Sequence, residues 1–204
     1  MSVANHRCAF RPLRGGTLIF QPDNNEAGTL GTFLTSDGVD RWLLTCFHVL
    51  TRSDGTLVPT DRIVQPNLAA GVIATLAGTM GDPVLDCAAV PLTLPTSDEV
   101  LGIGRLMPAT MPVVGMRVMK SGWKTGVSEG RIQVVNGTDV LIERLPGYPP
   151  EYLLAAAGDS GAVWVDATTL APVALHRRET AVGAHLAVAT NFAVVLNALN
   201  LEQV

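Results

Sequence analysis

The chain predicts an all-β fold, a barrel or a sandwich, followed by one C-terminal helix. Three observations carry that expectation. Of 204 residues, 49 are Val, Ile or Thr, types that suit a pleated, half-buried surface, and 20 Gly and 13 Pro supply the turns. Short apolar or alternating runs recur along the chain with Gly, Asp, Asn or Pro between them. Only the tail has a helical period.

In chain order the runs are 16–20, 28–35, 41–47, 72–78, 87–92, 115–122, 130–135, 139–145, 161–166, 172–176 and 184–190. Each is short enough for a strand, and turn signals separate most of them. Asn136-Gly137, between Ile132-Gln-Val-Val135 and Asp139-Val-Leu-Ile-Glu143, is the strongest hairpin signal and predicts a two-residue turn with positive φ at both positions. Residues 93–112 lose strand character and carry Pro95, Pro108 and Pro112, which predicts a connection between two halves. The halves then cover about 14–95 and 112–190 of a single unit. In the tail, Phe192, Val195, Leu196 and Leu199 fall at i, i+3, i+4 and i+7 behind Asn191, a cap residue, and predict a helix over 191–201.

Net charge is −4 and no basic run is longer than Arg177-Arg178, so a polyanion has no electrostatic footprint to bind and nucleic acid is not expected as a partner. No apolar window is long enough to span a bilayer, and the first residues lack the basic-then-apolar layout of a leader, which predicts no membrane partner and a cytoplasmic location. Cys8, Cys46 and Cys87 are odd in number and have no Cys-x-x-Cys spacing. Free thiols are expected, with no metal site and no cofactor.

Residues 158–162 read Gly-Asp-Ser-Gly-Ala. A serine between glycines exposes its hydroxyl and lets backbone N–H groups converge on an oxyanion, but the hydroxyl needs a base, and the base an orienting group. Upstream, His48 lies in Leu-Leu-Thr-Cys-Phe-His-Val-Leu at the end of a strand-like run, and Asp86 in Val-Leu-Asp-Cys-Ala-Ala-Val before another. An α/β-hydrolase would instead place its acid and histidine after the serine; Asp166 with His176 or His185 leaves too little chain for the strand–helix units of that fold.

The order His48, Asp86, Ser160 with these three motifs resembles the chymotrypsin/trypsin-like serine peptidase family, in detail its compact bacterial members, through Gly28-Thr-Leu-Gly31 before the histidine and the hairpin Lys120-Ser-Gly-Trp-Lys-Thr-Gly126 before the serine. The resemblance implies two antiparallel six-stranded β-barrels and a serine endopeptidase acting on a protein or peptide. It implies that His48 is the general base, Asp86 its orienting acid and Ser160 the nucleophile, with the N–H groups of Gly158 and Ser160 as oxyanion hole. Asp159, beside the nucleophile, then needs a partner other than a freed amino terminus. A dedicated protein substrate or activator is compatible with the same motifs, as is a binding module that keeps the fold without turnover.

If the triad forms, the backbones of Cys46 and Cys87 lie close together, and a bridge is conceivable against the thiols that a reducing compartment favours. The Lys120–Gly126 segment is expected to be a hairpin with little chemistry of its own. Trp42, Trp123 and Trp164 are expected in core or rim packing, and His6 and His185 on the surface. His176, on a strand that borders the specificity pocket in the resembled family, is a candidate ligand for a substrate Glu or Gln side chain. Leu154 and Arg177 join it as candidate substrate contacts. The alternative for His176 is a partly exposed histidine at a strand end.

Overall fold

The computed structural model describes residues 3–149, 151–180 and 186–204. In the first half β1 covers Leu13–Gly15, β2 Thr17–Gln21, β3 Glu26–Leu30, β4 Phe33–Thr35, β5 Arg41–Thr45, β6 Arg62–Val64, β7 Val72–Thr75, β8 Met80–Asp82 and β9 Cys87–Leu92. A four-residue helix, α1 (Phe47–Leu50), follows β5, so His48 stands on a helical turn just past the predicted strand. The connection contains β10 (Thr96–Val100) and β11 (Gly104–Arg105). The second half holds β12 (Arg117–Gly122), β13 (Gly126–Asn136), β14 (Asp139–Arg144), β15 (Val163–Asp166), β16 (Pro172–Glu179) and β17 (Leu186–Asn191), then α2 (Phe192–Leu199) and β18 (Glu202–Gln203).

Strands β12-β13-β14-β17-β16-β15 close into a barrel, in which every neighbour pair is antiparallel. The first half is hydrogen-bonded as a four-stranded sheet β3-β2-β6-β7 and a five-stranded sheet β18-β4-β5-β9-β8. Its core is aliphatic, built on Leu30, Leu43, Leu44, Ile63 and Val90; Val140, Ile142, Trp164 and Val173 fill the second. Val195 and Leu199 of α2 belong to the first core although the helix follows the second barrel, and β18 pairs with β4, so the chain's end ties the two halves together.

The structure alters three local expectations. The β13–β14 turn is Gly137-Thr138, because Asn136 pairs with Asp139, and only Gly137 has positive φ (+56°). That suits a turn needing a left-handed residue at its first central position alone. The segment 93–112 is not strandless: β10, the polar middle strand of a small sheet, pairs in parallel with β1 and antiparallel with β11, which apolar alternation could not reveal. His6 is completely buried, its Nδ1 2.7 Å from the Gly16 carbonyl. His185 lies outside the described residues. Helix α2 does begin after its Asn191 cap, whose side chain accepts from Ala193 N–H.

Candidate active site

The site begins with the fold's way of holding Asp86. In the β8–β9 turn, Asp82 accepts from the N–H groups of Val84 and Leu85, and the Leu85 carbonyl accepts from Thr190 Oγ1 of the second barrel at 2.8 Å. Asp86 leaves this turn with φ +53°, a left-handed conformation that Asp tolerates better than most residues. Its carboxylate reaches His48 twice, accepting from Nδ1 at 2.7 Å and from the backbone N–H at 3.0 Å. Donation from Nδ1 leaves Nε2 as the basic nitrogen. The His48 side chain is about half exposed, at 49%.

Ser160 is held against the first half by the Gly28-Thr-Leu-Gly31 strand. Thr29 N–H donates to the Ser160 carbonyl at 2.8 Å and Thr29 Oγ1 to the Gly158 carbonyl at 2.9 Å. A Cβ on Gly28 would lie 2.6 Å from Val49, the residue after His48, and 3.2 Å from the Ser160 carbonyl, so only glycine lets these segments approach. Ser160 Oγ donates to the Arg177 carbonyl at 3.0 Å. The N–H groups of Asp159 and Gly161 are spent on the carbonyls of Ala156 and His176. Those of Gly158 and Ser160 donate to no group among the described residues. Gly158 has φ +108°, and a Cβ there would strike the Trp123 indole at 2.8 Å.

Asp159 has the partner it needs inside the second barrel. Its Oδ2 accepts from Lys120 Nζ at 2.8 Å, Thr125 Oγ1 at 2.7 Å and Ala156 N–H, and its Oδ1 from the N–H groups of Lys124 and Thr125. Burial works against the carboxylate, but the Lys120 charge and these bonds prevail and hold its pKa below the usual range. The Lys120–Gly126 hairpin is therefore no mere backbone device. Lys120, Thr125, Thr29 and Trp123 all act on the serine loop without having been singled out as functional in the sequence. The signal available was Lys120, a lysine in an otherwise half-buried strand that needs a counter-charge.

The candidate substrate contacts fall in different places. Leu154 is fully buried in the second core and faces no cleft. His176 is also completely buried rather than partly exposed, edge-on to Trp164, and neither ring nitrogen has a partner among the described groups. Burial, assisted by the Lys120 charge, lowers its pKa to about 3, so the ring is neutral. Arg177 lines a cavity of about 380 Å³ with His48 and Asp86 while its Nη2 donates to Asp139 at 2.5 Å. Larger cavities, of about 590 and 630 Å³, lie against residues 105–110, away from this chemistry.

Cys46 and Cys87 are free and buried, and Cys46 Sγ donates to the His176 carbonyl. Cys46, His48 and Asp86 are the one group among the described residues with three metal-type donor atoms, all within 4.8 Å. Their hydrogen bonds already engage them: the thiol with His176, the carboxylate with His48.

No protein-family model matches the chain, and no curated protein matches it. Solved structures do. Thermobifida fusca protease A superposes with a TM-score of 0.70 at 19% identity, over 94% of this chain and 97% of that one. A serine protease described as specific for glutamic acid and as using a histidine triad in substrate binding gives 0.71 at 19%, over 94% and 100%. Cellulomonas bogoriensis chymotrypsin gives 0.67 at 17%, over 96% and 99%. The chain has the fold of the trypsin/chymotrypsin-like serine proteases. Within that fold, His48 and Asp86 come from the first half and Ser160 from the second, whose serine loop Thr29 ties to the first half.

Proposed function

We propose that the chain is a serine endopeptidase with Ser160 as nucleophile, His48 as general base and Asp86 as the carboxylate that orients it. The observation that carries this reading is the doubly held His48. Its Nδ1–H is committed to Asp86, so Nε2 is the nitrogen left to take a proton. In the reaction Ser160 Oγ turns from the Arg177 carbonyl to Nε2, gives up its proton and attacks the substrate carbonyl carbon. The oxyanion takes the N–H groups of Gly158 and Ser160, which have no other acceptor among the described residues. The imidazolium, stabilised by Asp86, protonates the leaving amine, and water then releases the acyl group by the same steps.

His176 is the residue proposed to read the side chain at the scissile position. Two unpaired nitrogens on a fully buried ring are unfavourable by roughly 1–3 kcal/mol each, which an amide or carboxylate side chain reaching the ring would offset. The likeness to a protease described as glutamic-acid-specific supports the same choice.

One observation favours the alternative of a binding module without turnover: the serine hydroxyl is bonded to Arg177 rather than to His48. A fluorophosphonate probe separates the two. Labelling at Ser160 that disappears in Ser160→Ala and in His48→Ala supports the peptidase; absence of labelling, with no cleavage in a mixed peptide library, overturns it.

A further inference from the structure

Arg177 and Arg178 follow one another on β16 and both line the 380 Å³ cavity, together with Phe47, His48, Pro83 and Asp86. Their charges are not equally committed. Arg177 is paired with Asp139, whereas Arg178 is exposed and its side chain makes no ion pair or hydrogen bond among the described residues. The one carboxylate lining the cavity, Asp86, has both oxygens on His48. A cation without an internal counter-ion therefore stands in the wall of a concave site next to His48. An uncommitted arginine on a convex surface would call for no explanation; its place in this wall does.

The direction of β16 says which part of a substrate passes this point. Pairing with β15 ends at Val163↔Leu175, while pairing with β17 continues to Glu179, so beyond His176 one edge of β16 is open. An extended peptide can add to such an edge. The Arg177 carbonyl is 3.0 Å from Ser160 Oγ. Arg178 stands one residue farther along, past the register shift between His176 and Arg178, and the peptidase reading lays the substrate residues before the scissile one along this edge.

We propose that this cavity is a subsite for a carboxylate side chain, separate from the buried His176, with Arg178 as its ligand. The inference rests on the peptidase reading for the placement of the substrate. The preferred substrates are segments with Asp or Glu within the three residues before the scissile position. There the guanidinium fork can accept a carboxylate in two parallel hydrogen bonds, an amide in one, and a lysine not at all.

The test uses the full chain carrying Ser160→Ala and fluorescent peptides that differ only in Glu, Gln or Lys at each of those three positions. At one position Glu should bind at least tenfold tighter than Gln in about 10 mM salt, and the gap should shrink several-fold in about 0.5 M salt. Arg178→Gln should bring the ratio near one, and Arg178→Glu should turn the preference to Lys. A ratio near one in the parent protein, a ratio that survives Arg178→Gln, or no measurable binding of any peptide overturns the proposal. Cleavage by the unsubstituted enzyme is scored separately. Glu-selective binding without cleavage defeats the peptidase reading alone, and cleavage without Glu preference defeats the subsite alone.

Discussion

Lys120 Nζ and Asp159 Oδ2 meet at 2.8 Å with neither side chain exposed to solvent. Removing two charges from water is costly, and the geometry offsets this with the hydroxyl of Thr125 and three backbone N–H groups on the same carboxylate. Because Asp159 sits between Gly158 and Ser160, the pair also sets the turn that carries Ser160.

Breaking it by Lys120→Met should lower stability by about 3–5 kcal/mol, the usual cost of leaving one buried charge alone. Urea denaturation measures this. The double variant Lys120→Met/Asp159→Leu should recover part of the stability without recovering fluorophosphonate labelling, since an apolar pair fills volume but cannot hold the turn. Full labelling in the double variant would show that the pair serves stability only.

Ser160→Ala and His48→Ala should each lower kcat/KM by about 10⁴ or more, and the two together by little beyond either, as expected of groups that act as a unit. Asp86→Asn should lose a comparable factor with the fold retained, because an amide at 2.7 Å from Nδ1 favours the wrong imidazole tautomer. Near-additive losses would mean that the residues do not work as one.

Acid should destabilise the protein through His176. Its pKa falls from 6.5 to about 3 on folding, so below pH 6.5 the unfolded chain binds a proton that the folded chain does not. Its contribution is complete above that pH and declines as pH falls toward 3, by roughly 1 kcal/mol per pH unit. Asp159, with a lowered pKa, begins to lose its share as pH falls through the ordinary carboxylate value of 3.8. Unfolding free energies measured from pH 7 to 4 should fall more steeply in the parent protein than in His176→Leu. Parallel curves would assign the acid sensitivity elsewhere.

Gly158→Ala should leave the fold largely intact and cost about 10²–10³ in kcat, the scale of one lost oxyanion donor. The methyl meets the Trp123 indole at 2.8 Å at a φ that L side chains rarely adopt, so the peptide must turn. Trp123→Ala in the same background should restore part of the activity if the collision is the cause, which steady-state kinetics would reveal.

Cys46 and Cys87 should resist alkylation in the folded protein and react after unfolding, with activity indifferent to reductant. Both are buried; burial pushes the Cys46 thiol well up and the Cys87 thiol up to about 12, so little thiolate is available. Mass spectrometry of alkylated protein counts the sites, and a bridge between the two would appear as two sites that react only after reduction.

By itself the sequence determined the β-rich class, the C-terminal helix with its Asn191 cap, and the order of His48, Asp86 and Ser160. These are local matters: strand and helix periods, a capping side chain and short motifs are written in neighbouring residues. The turn at Gly137-Thr138, one residue past the expected pair, depended on strand register, which cross-strand pairing decides. Tertiary structure alone decided the rest. Burial of His6 and His176, the reach of Lys120 to Asp159 across 39 residues and the grip of Thr29 on Gly158 across 129 arise from contacts between distant strands. Hydrophobic pattern says that a face is inward, but not which polar atom waits on the facing strand. Lys120 and His176 lie on strands that read as ordinary half-buried runs, and only the closed barrel gives one its carboxylate and leaves the other without a hydrogen-bond partner.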